Sequence, residues 1–342
     1  MKNFNLKSMV FDGITIAFLF LVVIVVVTNP TEEQQLNLSF NASLAGLLFL
    51  FSGVISWVLN HFNIRTWGEQ IFLPPQKKAV DAEVPLLKTF WGWQALIVLI
   101  TTFIVGLVKT KFSFYELSNP DGFAGAMRLF QGIFNPDWTL LPKAVLNIIE
   151  TIFMAFIATA LAIPIAFVFS FLAAKNIMKG PVAFPVYLIL RTLLNVTRSV
   201  EALIWAIIFS VWVGIGPFAG MMALMIHSIA SLAKQYSEMV ESVNEGPIEG
   251  ILSTGATRLQ MVWFAIVPQV ILPYISFTVY RWDINVRMAT IIGLVGGGGI
   301  GTLLIQYQGQ AMWPQVGCII VVIAVVVWLL DQASAYLREA LK

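Results

Sequence analysis

Eight runs of apolar residues constrain this chain more than any other feature of its sequence. The first three runs are each near the ~20 residues that a helix needs to cross the hydrocarbon core of a bilayer. Backbone groups in lipid must find their hydrogen-bond partners within the chain, so a helix is the expected form of each run. We therefore predict an all-α integral membrane protein with about eight transmembrane helices. The runs are residues 11–28, 42–62, 90–108, 143–172, 182–213, 218–233, 261–280 and 316–330.

Composition supports a membrane protein and excludes several functional classes. Of the 342 residues, 58% are hydrophobic and 11% are charged, whereas soluble domains carry about 25% charged residues. The net charge of +2 gives no basis for a nucleic-acid partner. Cys318 is the single cysteine, which excludes an internal disulfide, and the two histidines, His61 and His227, form no metal-ligand pattern. We therefore assign no metal site and no catalytic residue.

Turn signals and charge divide the chain into three parts. Residues 1–110 are predicted to form N-terminal membrane helices, and residues 111–142 an extracytoplasmic or interfacial segment. Residues 143–342 form a larger transmembrane core. Asp12 stands at the edge of the first run, where a carboxylate can still reach water. That run lacks the small-residue cleavage site of a signal peptide, so we expect it to be retained.

Basic residues indicate how the chain is oriented in the membrane. They are concentrated in alternate connections, whereas the linker at residues 31–41 has neither Lys nor Arg. Both termini and the polar loop at residues 238–260 are therefore predicted to lie in the cytoplasm. The basic residues on that side are Lys2, Lys7, Arg65, Lys77, Lys78, Lys88, Lys175, Lys179, Lys234, Arg258, Arg338 and Lys342; those that run against the rule are Lys109, Lys111, Arg128 and Lys143.

A polar, turn-rich stretch at residues 238–301 interrupts the apolar pattern. Asn244 or Gly246 can cap a short helix there, and Pro247 suits its first position, where a missing N–H is no loss. Glu249 then falls in the first turn, where the helix dipole favours a carboxylate. The sequence thus predicts a short helix projecting from the membrane into water.

The end of this short helix is also marked. Gly255 can take the left-handed conformation that stops a helix without strain on a Cβ atom. Thr257 and Gln260 have the spacing of a capping box, which predicts the start of the next helix. Glu238 and Glu241, just before the loop, are interpreted as part of a solvated helix face.

The spacing of Glu249, Gly255 and Pro268 resembles the cytoplasmic loop of ABC-importer permeases. The family pattern is Glu-Ala-Ala, three residues, Gly, nine residues, then Ile-x-Leu-Pro. This chain has Glu-Gly-Ile, three residues, Gly, nine residues, then Ala-Ile-Val-Pro, so the three key residues keep their spacing. The continuation at residues 280–301 is similar to the phosphonate-transporter permeases. The resemblance covers roughly residues 135–338.

The resemblance implies a type I ABC-importer permease core in a multi-pass protein of a bacterial inner membrane. Its expected partners are a second copy of itself, two ATPase subunits, an extracytoplasmic substrate-binding protein and membrane lipid. ATP and Mg²⁺ would bind to the ATPase subunits, with no cofactor in this chain. The expected cargo is phosphonate or a related small oxyanion such as phosphite or phosphate.

In this family, the short cytoplasmic helix sits in a cleft of the ATPase subunit and transmits its motion. By that resemblance, the residues expected to couple ATP hydrolysis to transport are Glu245, Gly246, Pro247, Glu249, Gly255 and Pro268. Pro268 and Pro273 are also expected to deform the following helix, because each lacks a donor and clashes with the carbonyl four residues earlier.

Charges placed in apolar context form the candidate translocation path. Such residues face a bundle interior or a water-filled path, or they pair with each other. Asp283 and Arg287 are four apart, so a helix would place them on one face as an ion pair. Arg287 matches the Asn-x-Arg of the family, whereas a path role and an interfacial role stay equally open for Arg281. The path residues are predicted to be Arg198, Arg281, Asp283, Arg287, Gly297 and Gly298, with net positive potential near the outer leaflet.

The glycine run at residues 296–301 satisfies the letters of a dinucleotide-binding fingerprint but lacks its context. No strand is expected before it, and no acidic residue follows at the required distance. The glycines are instead interpreted as permitting close helix contact at an irregular outer turn. The chain has no Gly-Lys dipeptide and therefore no Walker A loop, so ATP must be hydrolysed by another subunit.

An ion-gradient-coupled secondary transporter or channel for a small anion is the alternative function. Broken helices, glycines and buried charges occur in both classes. The short cytoplasmic helix discriminates between them, because a secondary transporter does not need it.

Overall fold

The computed structural model describes residues 6–28, 38–62, 64, 66–72 and 86–340. Parts of the orientation argument fall outside these residues, because it drew on most of the linker and on several basic residues that are not described. Those basic residues are Lys2, Arg65, Lys77, Lys78 and Lys342.

The chain forms two compact units, with the division between Asn119 and Pro120. Every regular element among the described residues is helical, which confirms the predicted all-α class. The first unit contains α1 (Leu6–Thr28), α2 (Leu38–His61), α3 (Trp67–Phe72), α4 (Phe90–Lys109) and α5 (Phe114–Leu117). A single 3₁₀ turn, Leu86–Lys88, precedes α4.

Asp12 is a buried acceptor in the first unit and does not lie at a wet helix edge as predicted. It is 1% exposed, and its carboxylate accepts from the backbone N–H of Gly68 at 2.8 Å and from Gln94 Nε2 at 3.3 Å. The Thr66 hydroxyl also donates to it. Three donors offset the cost of burying the carboxylate, which holds α3 and α4 against α1.

The second unit is a bundle of longer helices. It contains α6 (Pro120–Phe134), α7 (Leu141–Leu172), α8 (Ala183–Ser199), α9 (Ala202–Val213), α10 (Pro217–Glu241), α11 (Glu245–Ser253), α12 (Arg258–Met261), α13 (Val267–Ile292), α14 (Gly299–Gly309) and α15 (Trp313–Ala340). A π-helical turn, Val262–Ile266, joins α12 to α13, and a 3₁₀ turn, Gly293–Val295, follows α13.

The predicted count of eight membrane spans is not confirmed. Among the described residues, five helical stretches are long and apolar enough to cross a membrane, or six if the bent pair α8 and α9 forms one span. That pair is bent by 89°, where the sequence predicted a single long helix. The five stretches are Phe90–Lys109, Trp138–Leu172, Pro217–Glu241, Arg258–Val295 and Trp313–Ala340.

Small residues bring the central helices of the second unit close together. α10 packs along α7, and α13 packs against both. The fully buried alanines of this contact are Ala155, Ala158, Ala162 and Ala166 on α7 and Ala219, Ala223, Ala230 and Ala233 on α10. Because lipid gives no hydrophobic force between helices, association depends on such close van der Waals contact and on interhelical hydrogen bonds.

Two buried polar clusters add those hydrogen bonds. In the first, the rings of Tyr236 and Tyr274 stack 3.8 Å apart, and each hydroxyl donates to the backbone carbonyl of the other residue. In the second, Asn285 Nδ2 donates to Thr159 Oγ1 at 2.8 Å and to Ser228 Oγ at 2.7 Å. Each cluster joins α10 to α13, and the second also reaches α7, so the register of the three helices is fixed.

The glycine-rich turn lies inside the bundle and not at its outer surface. Glu150 Oε1 accepts from the N–H of Gly299 at 3.1 Å, and Thr151 Oγ1 accepts from Ile300 at 2.8 Å. Glu150 is nine residues into α7, which corresponds to about 14 Å of helix rise. From this turn α14 continues along α7 toward its start, where Lys143 lies over the ring of Tyr307.

The predicted close approach at the glycines is confirmed. Gly216 N donates to the carbonyl of Gly296 at 2.9 Å. A Cβ atom at Gly298, where φ is +79°, would lie 2.6 Å from Pro217 N. A Cβ atom at Gly220 would collide with the carbonyl oxygen of Gly297. Irregular backbone at membrane depth is tolerated when it is buried in protein in this way.

Gly220→Ala is expected to destabilise the bundle, because the new methyl group would meet a backbone carbonyl that cannot move freely. The expected loss is about 1–3 kcal/mol of unfolding free energy. It would be measured as a lower midpoint of thermal unfolding of the detergent-solubilised chain. Gly125→Ala on α6 is the matched control, because a Cβ atom there meets nothing within 4 Å. Equal midpoints for the two variants would contradict the proposed close contact.

Candidate functional site

The loop after α10 forms the predicted short helix, but its start differs from the prediction. Asn244 is the residue before the helix and has an extended backbone, yet its side chain makes no capping hydrogen bond. The helix begins at Glu245, so Pro247 is its third residue and Glu249 lies in the second turn. Glu245 therefore takes the first-turn position that the sequence predicted for Glu249.

One face of α11 is available to a partner. Ile248 packs against the buried cluster around Tyr236 and Tyr274, which fixes the inner face of the helix. The remaining predicted coupling residues of α11 are exposed: Glu245, Gly246, Pro247 and Glu249. Large apolar side chains follow directly on α12 and the π turn, since Leu259 is 83% exposed and Trp263 is 61% exposed. Carboxylates beside exposed apolar groups form a surface typical of protein contacts.

The end of α11 matches the prediction. Gly255 has a φ of +80°, the left-handed conformation, and its N–H donates to Leu252 O at 3.0 Å. Thr257 and Gln260 form the predicted capping box, in which each side chain bonds the backbone N–H of the other residue. These two features bound α11 sharply and set the direction of the chain into α12.

Gln269 connects α11 to the helix that follows it. Its Nε2 donates to the carbonyl of Ala265 at 2.7 Å, and its Oε1 accepts from the N–H of Asn244 at 3.1 Å. Ala265 belongs to the π turn, so a single side chain joins the start of α11 to the start of α13.

Pro268 is the second residue of α13, which begins directly after the π turn. A proline ring displaces the carbonyl four residues earlier and offers no donor to it, and a wider turn accommodates both effects. The predicted deformation is therefore located at Pro268. Pro273 lies within the continuous helix α13.

Glu241 has a structural role that its interpretation as a solvated face did not include. Its Oε1 pairs with Arg191 of α8 and accepts from the backbone N–H of Lys175 at 2.8 Å. Asn176 adds a hydrogen bond to Val240 O at 2.7 Å. The end of α10 is thereby tied to the connection between α7 and α8. Glu238, which pairs with Lys234 and is half exposed, fits the original interpretation.

Arg287 is held by two carboxylates. The predicted pair with Asp283 is confirmed at 2.6 Å, and Asp331 of α15 lies 3.5 Å from the same nitrogen. Two carboxylates facing one guanidinium leave no excess of positive charge in this group. The net positive potential predicted for residues 281–287 is therefore not found around Arg287.

Arg281 lies on a different face of α13. Six residues separate it from Arg287, and at 100° per residue their side chains point about 120° apart. Arg281 is 8% exposed, and its Nε has no hydrogen-bond partner in the part of the chain that the structure describes. Arg281 also lies farther from the start of α7, the predicted outer end of that helix, than expected. Asn285, which is one turn closer to the glycine turn than Arg281, donates to Thr159, eighteen residues after the start of α7.

The break between α8 and α9 brings further charges near Arg281. Arg198 and Glu201 flank the break and are exposed. His227 of α10 contacts the carbonyl of Val200 through Nδ1 at 3.3 Å, and it lies within electrostatic range of Arg198, Glu201 and Arg281. The bent pair thus places polar groups from three elements at one level of the bundle.

Of the predicted path residues, the structure brings Arg198 near Arg281, pairs Asp283 with Arg287, and places Gly297 and Gly298 in a helix contact. Sequence reasoning missed the parts played by Asp331, His227 and Gln269. Asp331 carried a usable signal, because it directly follows an apolar run. Gln269 and His227 did not, since Asn244 and Val200, which they contact, lie 25 and 27 residues away.

Groups that could hold a metal ion are absent from the described residues, where no three His, Cys, Asp or Glu side chains cluster suitably. Asp137, outside the spans, instead serves the connection between α6 and α7. Hydrogen bonds from the Thr139 side chain and backbone hold its pKa below the ordinary value.

The family model described as "Binding-protein-dependent transport system inner membrane component" matches residues 144–341. A phosphite transport system permease protein of Stutzerimonas stutzeri is 37% identical over 207 residues, which cover 60% of this chain and 74% of that protein. A phosphate-import permease protein of Mycolicibacterium smegmatis is 34% identical over 192 residues, covering 56% of this chain and 36% of that protein. A putative cryptic phosphonate transport system permease protein of Escherichia coli is 43% identical over 119 residues, covering 35% and 98%.

A solved structure shares the fold. An inward-facing structure of the MetNI methionine ABC transporter aligns with 60% of this chain and 99% of that chain, with a TM-score of 0.52 and 22% sequence identity. At this identity the likeness shows the fold alone, which is that of an ABC-transporter permease.

Gln269→Met is expected to loosen α11 from α13, because methionine has a similar shape but replaces neither hydrogen bond of the amide. Hydrogen exchange at residues 244–254 should become about fivefold to tenfold faster, as expected for the loss of roughly 1 kcal/mol of hydrogen bonding. Mass spectrometry of the solubilised chain measures this directly. Gln131→Met, at an exposed position of α6, serves as the control. Unchanged exchange in the Gln269 variant would show that the amide does not hold the loop.

Proposed function

Because this chain belongs to the family of binding-protein-dependent transport system inner membrane components, we propose that it is the permease subunit of an ATP-driven importer for a small phosphorus oxyanion. The permease role follows from family membership, whereas the cargo is our inference. Its support is that the relatives described above are named for transport of phosphite, phosphate or phosphonate. The ion-gradient-coupled alternative has no comparable support.

The observation that carries the coupling proposal is the exposed helix α11 between two fixed points. Gly255 bounds it at one end, and Gln269 holds the other end to the π turn before Pro268. We propose that two ATPase subunits, which bind ATP and Mg²⁺, dock on this surface in the cytoplasm. Movement of α11 would then be transmitted through Gln269 to α13, whose buried face packs against α7 and α10.

The remaining partners follow from the same assignment. We propose that two copies of the chain form the translocation path, that both termini lie in the cytoplasm, and that an extracytoplasmic binding protein delivers the oxyanion. Residues 1–119 lie outside the matched range, and we propose that the two helices between residues 11 and 62 are an addition to the family core. The direct test is uptake of phosphite, phosphate and methylphosphonate by vesicles that contain the chain with its ATPase and binding protein. Uptake that does not require ATP would overturn the proposal.

Gly255→Val is expected to disrupt the coupling of ATP hydrolysis to transport, so that both activities fall. Valine strongly disfavours a φ of +80°, so the residue should leave the left-handed conformation and redirect the chain after α11. The strain is about 1–2 kcal/mol or more, because the side chain is β-branched. Uptake and substrate-stimulated ATPase activity should both fall at least about tenfold, as this strain implies.

Gly255→Asn provides the matched control, because asparagine tolerates the left-handed conformation and should keep most of the activity. Glu249→Lys tests the docking surface itself by reversing an exposed charge on α11. It should weaken ATPase association while thermal stability of the permease stays unchanged. Full uptake in both Gly255→Val and Glu249→Lys would refute the role of α11.

A further inference from the structure

Arg281 is a buried cation for which the described residues supply no counterion. It forms no ion pair there, although other arginines of the second unit do: Arg191 with Glu241, and Arg287 with Asp283 and Asp331. Its Nε also lacks a hydrogen-bond partner. Burial of an unpaired charge is costly, so such a residue is retained only when something else compensates it.

The surroundings of Arg281 do not provide that compensation. Arg198, a second cation at the break between α8 and α9, lies within electrostatic range of Arg281, and Glu201 at the same break lies within range of His227. Arg281, Arg198 and Glu201 together leave a net charge of +1 at this level of the bundle. His227 completes the group, and its Nδ1–H must be the donor to Val200, because a carbonyl can only accept. In the neutral ring, Nε2 is then an acceptor with no partner among the described residues.

We propose that Arg281, with Arg198 and His227 beside it, forms an oxyanion-binding site within the membrane part of the permease. The guanidinium presents a planar fork of donors that matches two oxygens of a tetrahedral phosphorus oxyanion. A singly protonated oxyanion also has a P–OH group, which His227 Nε2 can accept. One bound monoanion would bring the group to a net charge of zero.

This inference rests on the proposed function, and it assigns the path to a different arginine from the one that the sequence favoured. Arg287 already has two carboxylates, so an anion would have to displace one of them. Arg281 sits where the span formed by α8 and α9 is bent, and polar backbone at such breaks lines the binding sites of many transporters. Attraction by a single net charge is also weak enough to let the anion leave, as a translocation path requires.

Two sources could supply the phosphorus oxyanion, namely the free anion and the headgroup of a phospholipid. The first experiment therefore uses the full-length chain in dodecyl maltoside, which contains no phosphorus, with phosphite as the probe. Addition of the protein should broaden the ³¹P resonance of phosphite. Phosphite should also raise the midpoint of thermal unfolding of the protein relative to chloride at equal ionic strength. If phosphatidylglycerol raises the midpoint and phosphite does not, the site is a lipid site and the proposal fails.

Arg281→Gln distinguishes a ligand site from a structural role. Loss of a charge-assisted bidentate contact should weaken phosphite binding at least about tenfold. Without phosphite, the unfolding midpoint of this variant should equal or exceed that of the wild type, because an uncompensated buried charge has been removed. Arg281→Lys should be intermediate, since it keeps the charge but not the fork. Arg128→Gln is the matched charge control, at an exposed site on α6.

Uptake by vesicles separates failure of the inference from failure of the proposed function. If the wild-type complex imports an oxyanion, Arg281→Gln should slow uptake at least about tenfold, in line with the loss of binding. Unchanged uptake and unchanged phosphite binding would overturn the site while leaving the importer assignment intact. An unfolding midpoint that falls in Arg281→Gln, together with no effect of phosphite on the wild type, would assign Arg281 a structural role. Absence of oxyanion uptake by the wild type would instead refute the proposed function.

Discussion

The contact of Gly220 with the carbonyl oxygen of Gly297 determines how the second unit is arranged. No side chain larger than hydrogen fits at residue 220, so α10 can begin directly against the glycine turn. That turn is irregular backbone about 14 Å along α7, where lipid could satisfy none of its polar groups. Its hydrogen bonds come from the protein instead, through Gly216, Glu150 and Thr151. Small residues thus allow the close contact, and hydrogen-bond partners within the protein satisfy the backbone groups that this contact buries.

The same principle operates at the other end of the bundle. The end of α10 and the start of α11 are held by side chains from distant segments, since Glu241 binds Arg191 and Gln269 binds Asn244. Between the two ends, the tyrosine pair and the Asn285 cluster fix the register of α10 and α13. A displacement of α11 therefore acts on a rigid group of helices, because local adjustment would break several buried hydrogen bonds.

Features that depend on residues close in sequence were predictable. The capping box at Thr257 and Gln260, the left-handed Gly255 and the pair of Asp283 with Arg287 each follow from a spacing of a few residues. The apolar runs likewise predicted an all-α membrane protein, although not the 89° bend between α8 and α9.

Features that depend on long-range packing were not predictable. Asp331 reaches Arg287 from another helix, and Asp12 is buried by donors more than fifty residues away. The local sequence pattern places Glu241 on a solvated helix face for the same reason, since its partner Arg191 lies fifty residues earlier. A helical pattern shows which face a residue occupies but does not identify the helix that packs against that face.

The two arginines of α13, Arg281 and Arg287, have different surroundings. Arg287 is neutralised by Asp283 and Asp331 on the face toward α15. Arg281 lies on the face toward the bend, within electrostatic range of Arg198 and without an ion pair among the described residues. The two faces are about 120° apart in direction and about 9 Å apart in rise, so the carboxylates that pair with Arg287 do not neutralise Arg281. The two faces of α13 therefore differ electrostatically, because Arg287 is paired with two carboxylates and Arg281 has no ion pair among the described residues.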